Sequence, residues 1–245
     1  MAQQQSWSVV IFCYNESGTI TSVIDSVHNF LNKINCTQSE IIIVDDGSKD
    51  GSVEKIKEAE KRYPNIKAIY HPKNLGIGQA LKSGYFNAQY ENITAVPADG
   101  QFDVNELIPF FNIDLNTFIS FYRKENTIYS LQRNILSYFN KKVNSIFMGI
   151  DLRDVNWVKI YKREAIVNLD LRLKSSLIES EICSKLLIRK NRAIETISVY
   201  HQRKSGVSKG ASTKVVVQAL KETIKLIFVI FLFRLNAHKF KKDLK

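Results

Sequence analysis

The first half of the chain alternates between two hydrophobic periods. Short β-branched and aromatic runs occur at Ser8–Phe12, Glu40–Val44, Ile66–His71, Ile93–Val96 and Thr117–Phe121. Between them, Thr19–Leu31, Ser52–Arg62, Gly78–Gln89 and Val104–Phe111 space their apolar residues as helices do. Strands alternating with helices predict an α/β fold with a mostly parallel sheet flanked by helices. The run IIIV at 41–44 is apolar throughout, as a strand covered on both faces should be. Ligand sites of such sheets gather beyond the C-terminal strand ends. There the chain places CYNES, DDGSKDGS, HPKNLGIG and PADGQFD after four successive strands.

The second half is less regular. Residues 126–148 read as a helix covering the site, Val155–Tyr161 and Ala193–Val199 as strands, and Ser176–Lys190 as a helix. Near the end, Lys214, Gln218, Lys221 and Lys225 step by helical spacings opposite Val216, Val217, Leu220 and Ile224. LIFVIFLF (226–233) follows and is apolar on all sides. Eight helical residues span about 12 Å, too little for a hydrocarbon core of roughly 30 Å. Two readings stay open for this segment: an interfacial membrane helix, or a helix packed on the core or in a homo-oligomer contact. The division expected is a catalytic domain over 1–210 and a basic C-terminal amphipathic helix and tail over 211–245.

Composition sharpens the ending. The net charge is +11, yet residues 201–245 hold 11 Lys or Arg against Glu222 and Asp243, giving +9 and leaving +2 for the first 200 residues. A basic segment of this kind suits phosphates or anionic lipid. Nucleic acid is not expected, since no reading helix or aromatic-basic sheet motif is present. Cys13, Cys36 and Cys183 are widely spaced, with no metal pattern or disulfide framework, which suits a reducing compartment. MAQQQSWSVVIF lacks the layout of a secretory signal.

VVIFCYNES, IIIVDDGSKDGS, HPKNLGIGQALKSGY and PADGQFD resemble, in order and spacing, the signatures of family 2 glycosyltransferases with the Rossmann-like GT-A fold. DVNWVKIYKREAI (154–166) and the stretch 180–209, ending in R-x-x-G-x-S-K, resemble the dolichol-phosphate mannosyltransferase-like branch. The resemblance implies a nucleotide-sugar donor, Mg²⁺ or Mn²⁺, and inversion at the anomeric carbon. It implies that Tyr14, Glu16, Val44 and Asp46 hold the nucleoside, and that Asp99 and Gln101 bind the metal. Arg123, Arg203 and Lys209 would face phosphates, and Asp154 and Glu181 would be acidic groups of the active site. Pro97 departs from the pattern, because the family usually begins this motif with Asp; proline has neither carboxylate nor backbone N–H.

For the acceptor, a hydroxyl calls for a general base, Glu181 or Asp154. A polyprenyl phosphate is already an anion and needs cations and a membrane surface. The basic end of the chain favours the lipid phosphate, with the chain acting as a peripheral protein at the cytoplasmic membrane face. A glycan or other hydroxyl acceptor is the alternative within the fold. A non-catalytic binding protein, with Pro97 disabling the metal site, is the alternative from another class. Asp103 is expected to cap the next helix, His28 to be a surface or packing histidine, and Tyr85 to pack.

Overall fold

The computed structural model describes residues 5–124, 141–202 and 213–242; for 213–220 and 237–242 only the backbone is considered. Arg203, Gly206, Lys209 and most of the helix expected over 126–148 lie outside the described residues.

Seven strands form one sheet: β1 (Ser6–Cys13), β2 (Gln38–Asp45), β3 (Ile66–Tyr70), β4 (Asn92–Pro97), β5 (Thr117–Arg123), β6 (Lys159–Lys162) and β7 (Arg192–Ser198). Their order is β3-β2-β1-β4-β6-β5-β7. Only β6 is antiparallel to its neighbours β4 and β5. The other six therefore point the same way, and their C-terminal ends share one edge with the start of β6. The segments that leave these six strands start from that edge, and the segment before β6 ends there, by topology alone.

Helices α1 (Ile20–Lys33) and α2 (Ser52–Arg62) and the 3-10 helix Val104–Phe110 accompany one face, whose core contains Val9, Ile11, Ile24, Val27, Phe30 and Ile56. The other face carries α3 (Ile77–Asn87), the short α4 (Arg163–Val167), α5 (Ile178–Ile188) and the long α6 (Thr213–Lys242), with Val10, Ile42, Leu81, Tyr85, Ile182 and Leu226 between them. Adjacent residues of β1 go to opposite faces, as strand alternation requires. Each fully buried Val or Ile contributes about 1.5–3 kcal/mol, so this doubly covered sheet dominates the stability.

The sequence boundaries of α2 agree with the observed helix, and the first five strands are extended by a residue or two or end one short. The expected strand over Val155–Tyr161 is corrected: only Lys159–Lys162 pairs with the sheet, and 154–157 form a loop at the ligand edge. LIFVIFLF packs on the body with one side. Leu226, Val229 and Ile230 are buried, whereas Phe228 and Phe231 are exposed.

Candidate active site

The loop after β1 meets the loop after β2. Asn15, at φ 55, receives Lys49 N on its side-chain oxygen (2.7 Å), and its own N–H donates to Ser48 Oγ (2.8 Å). Glu16 N donates to Ser52 Oγ (3.0 Å), and Ser17 N donates to Asp50 Oδ2 (2.9 Å). Burial pushes the Asp50 carboxyl up, but hydrogen bonds from Ser52 and Ser17 outweigh it and hold the group below its usual value. Tyr14 is half-buried and Glu16 buried in this corner. Cys13 sits beneath it, its thiol pushed up to about 12, chiefly by burial, and therefore chemically quiet.

The two aspartates at the end of β2, Asp45 within it and Asp46 just after, have different tasks. Asp46 is buried. Its Oδ1 accepts from Leu75 N (2.9 Å) and meets His71 Nδ1 at 2.7 Å, while Oδ2 accepts from Gly76 N (2.8 Å). His71 Nε2 in turn lies 2.9 Å from Ser83 Oγ. Asp46 thus ties the third loop to the second. Asp45 caps its own turn: Oδ2 accepts from Gly47 N (3.1 Å) and Ser48 N (3.0 Å). Its Oδ1 is buried with no hydrogen-bond partner among the described residues. A buried carboxylate oxygen left so is costly and marks a place for a donor group. Gly47, at φ +75, is obligatory here, since a Cβ would lie 2.5 Å from the Lys73 carbonyl carbon.

The loop after β4 forms a tight turn through Gly100. Thr19 Oγ1 holds it by donating to Ala98 O (2.7 Å), and Gln101 N donates to Asp99 Oδ1 (3.1 Å). Gln101 Nε2 donates to Tyr200 OH (2.5 Å), which turns the amide oxygen away from the tyrosine. Asp99 and Gln101 are two hard oxygen donors within three residues, and Pro97 adds none. Among the described residues no group of three or more His, Cys, Asp or Glu is arranged so that it could hold a metal ion by itself. This donor set fits an Mg²⁺ or Mn²⁺ ion that completes its shell with water and ligand oxygens.

Beside this turn stands a cationic post. Arg123, at the end of β5, donates from Nε to Asp154 Oδ2 (2.7 Å). Its guanidinium lies over the rings of Trp157 (4.8 Å) and Tyr200 (5.8 Å). Trp157 Nε1 donates to Ser198 Oγ (3.0 Å), and Phe102 meets the Trp157 ring edge-on at 6.0 Å. The loop of Asp154 and Trp157 is fixed from below by the buried Lys159, whose Nζ donates to Val155 O (2.5 Å) and Trp157 O (2.9 Å). The arrangement is an aromatic-walled cation beside an oxygen-rich turn, suited to a phosphate-bearing ligand.

The profile of Glycosyl transferase family 2 matches residues 8–166, more than half of the chain. The chain belongs to that family. Dolichyl-phosphate beta-glucosyltransferase ALG5C of Trichomonas vaginalis is 35% identical over 101 residues, 40% of this chain and 30% of that protein. The chain thus matches under a third of that relative's length. Polyprenol monophosphomannose synthase of Mycolicibacterium smegmatis is 22% identical over 221 residues, 84% of this chain and 82% of that one. Glucosyl-3-phosphoglycerate synthase from Mycobacterium tuberculosis, solved with UDP, superposes with a TM-score of 0.63 at 14% identity, covering 92% of this chain and 80% of that chain. The mannosyltransferase PcManGT from Pyrobaculum calidifontis, solved with GDP-Man and Mn²⁺, gives 0.58 at 17% identity, covering 84% and 59%. At these identities the structures establish the GT-A fold.

In this family 2 chain, Tyr14, Glu16, Asp99, Gln101, Arg123 and Asp154 all stand at the ligand edge of the sheet. Two expected site residues have fully buried side chains. Val44 is a core residue at 0% exposure, in the cluster around Val10 and Leu81. Glu181, also at 0%, accepts from Arg172 N (2.9 Å) and Leu173 N (2.9 Å) and pairs with Lys185 Nζ at 2.6 Å. This corrects the assignment of Glu181 as a base: with both oxygens filled and no exposure, it has no route to a substrate proton. Asp45 and Tyr200 stand at the same edge, and neither is singled out by the sequence. The doubled aspartate signalled the first, but nothing in the local pattern told which member would stay unfilled. For Tyr200 the only signal was an aromatic residue at the end of a predicted strand.

Proposed function

We propose that this glycosyltransferase moves a hexose, with inversion, from a nucleoside diphosphate sugar to a polyprenyl phosphate at a membrane face. The observation behind this reading is Arg123, stacked on Trp157 and Tyr200, paired with Asp154 and set beside the Asp99–Gln101 turn. A fixed cation there would receive an anionic acceptor and need no strong base to activate it. The relatives named for dolichyl phosphate and polyprenol support the acceptor class.

In this reading the nucleoside lies among Tyr14, Glu16 and the Asp45–Asp46 turn, and a ligand donor fills Asp45 Oδ1. A divalent ion held by Asp99 and Gln101 would supply Lewis-acid stabilisation of charge on the leaving diphosphate. Arg123 would hold the acceptor oxygen in line with the anomeric carbon, and its aromatic walls would exclude water that otherwise hydrolyses the donor. Arg203 and Lys209 are proposed as further phosphate contacts.

The deciding test is transfer of labelled sugar from GDP- and UDP-sugars into an organic-extractable product, with polyprenyl phosphate in detergent and Mn²⁺ or Mg²⁺, for wild type and Asp99→Ala. Metal-dependent label in the lipid phase, lost in the variant, is the expected result. Nucleotide release without lipid label would discard the acceptor. A second reading, transfer to a sugar hydroxyl, draws on the relative poly-beta-1,6-N-acetyl-D-glucosamine synthase of Staphylococcus epidermidis, 33% identical over 112 residues, 46% of this chain and 26% of that protein. It would make Asp154, half-buried at the edge, the base. Near-total loss in Asp154→Asn with a glycan acceptor favours it.

A further inference from the structure

Helix α6 presents two apolar faces. Leu226, Val229 and Ile230 are buried against the body. Ile224, Phe228, Phe231 and Leu235 follow at spacings that set them on one stripe, and they are 49–73% exposed. The turn Asn144–Met148 packs beside this helix, with Met148 in the same core cluster as Leu226 and Ile230. That turn pushes Ile146 and Phe147 outward, at 67% and 47% exposure. Six large apolar side chains therefore stand on neighbouring elements. Single exposed apolar residues are ordinary, but a rimmed group of this size marks a contact surface.

The charge around it selects the partner. Lys141, Lys221 and Lys225 are exposed. Over its length α6 carries Lys214, Lys221, Lys225, Arg234, Lys239, Lys241 and Lys242 against one acid, Glu222. Glu222 is engaged inward, accepting from Ser175 N (3.0 Å). A second copy related by a two-fold axis would bring like charges together. An anionic bilayer complements them. Among the described residues no helix is long and apolar enough to cross a membrane, so the stripe would lie in the plane of the interface.

We propose that Ile146, Phe147, Ile224, Phe228, Phe231 and Leu235 form a docking face that inserts into an anionic lipid surface, with the surrounding lysines at the head-group phosphates. The inference deepens the lipid-acceptor reading. Phe147 and Asp154 are seven residues apart, at most about 25 Å of chain, so docking would hold the acceptor side of the site near the head groups.

The test is co-sedimentation of the full chain with vesicles of phosphatidylcholine alone or mixed with phosphatidylglycerol, at low and high salt. The chain should bind the mixed vesicles, less at high salt. Phe228→Ser/Phe231→Ser should lower partitioning on the order of tenfold or more. Lys141→Gln and Lys221→Gln should each lower it roughly fivefold, on mixed vesicles only. An unchanged urea midpoint shows that each variant is folded. Absence of binding, or binding untouched by either variant pair, overturns the proposal. So does a lipid-free dimer that Phe228→Ser/Phe231→Ser abolishes, which would assign the face to a second copy. Sugar transfer in detergent without vesicle binding would sink the docking face alone. Vesicle binding without transfer would uphold it and sink the acceptor reading.

Discussion

Replacing Glu181 by alanine should unfold the chain before it reveals anything about catalysis. The carboxylate is the buried partner of Lys185 and the acceptor for the backbone N–H groups of Arg172 and Leu173. Removing one member of a buried ion pair costs about 3–5 kcal/mol, because the remaining charge stays desolvated. Each orphaned amide adds about 1–3 kcal/mol unless water reaches it. Against a total stability of about 5–15 kcal/mol, that is a large fraction. In a domain of this size the pair alone corresponds to a fall in Tm of roughly 6–20 °C.

Glu181→Gln/Lys185→Met separates structure from chemistry. Glutamine keeps an acceptor for the two amides, and methionine fills the lysine's volume without a charge. Part of the lost stability should return, since replacing both partners of a buried pair is often close to neutral, while Asp170 O loses its donor. Urea denaturation and GDP or UDP binding would be followed in all three proteins. A Glu181→Ala protein with an unchanged urea midpoint but no transfer would refute the reasoning and return Glu181 to the reaction. So would a double variant that folds, binds nucleotide and fails only in transfer.

Three further outcomes follow from the site. Asp45→Asn should weaken GDP or UDP binding about tenfold with little change in Tm, whereas Asp46→Asn, which loosens the His71 and Leu75–Gly76 contacts, should lower Tm as well; calorimetry and thermal melts would show whether the two differ. Pro97→Asp supplies the carboxylate the metal turn lacks, so it should lower the Mn²⁺ concentration needed for half-maximal transfer, and an unchanged requirement in a folded variant would argue that residue 97 is remote from the ion. Burial raises the Glu106 carboxyl above its usual value, although Val199 N donates to it at 2.9 Å. The folded state therefore holds that proton more tightly, and the carboxylate weakens the fold as pH rises through its folded pKa but not below its unfolded one. Glu106→Gln should raise Tm at neutral pH and give no gain below the carboxylate range; equal gains at both would contradict the sign.

What could be read in advance follows from how each half is held together. Apolar runs such as IIIV announce strands covered on both faces, and their regular alternation with helices marks the edge at which ligands of such sheets gather. The segment Lys159-Ile-Tyr-Lys162 resists the same reading. Its two lysines suggest a solvated strand, yet both are buried, Lys159 on loop carbonyls and Lys162 on Glu91 at 2.7 Å. Glu181 is opaque for the mirror reason: an acid at a family-like position is indistinguishable in sequence from one whose oxygens are filled by backbone brought in by the fold. Asp103 was legible because its partner is two residues away, with Asn105 N donating to it at 2.9 Å. Partners close in sequence leave a local signature; partners across the fold do not.

Two irregular segments border the site, and both are fixed by charged side chains. Lys82, Lys185 and Lys225 donate to the carbonyls of Leu171, Asp170 and Arg172, while Glu181 and Glu222 accept from the amides of Arg172, Leu173 and Ser175. The strap so held lies against α3, where only glycine fits at position 78, since a Cβ would come within 2.2 Å of Ser175 O. On the acceptor side, Lys159 holds Val155 O and Trp157 O and lies 3.7 Å from Glu179. Glu179 also accepts from Tyr85 (2.9 Å) and Tyr161 (2.6 Å), whose phenols burial keeps well above their ordinary pKa and hence as donors. Buried pairs add little net stability. Loops, however, lack ladder partners for their backbone groups, and apolar packing would leave those groups unpaired. Fully bonded charges satisfy them and also set the loop to one geometry, which a site needs if its groups are to stand within about half an ångström of where they act. The position of Asp154 and Trp157 beside Arg123 is therefore determined as much by a lysine beneath the sheet edge as by any residue that would touch the sugar.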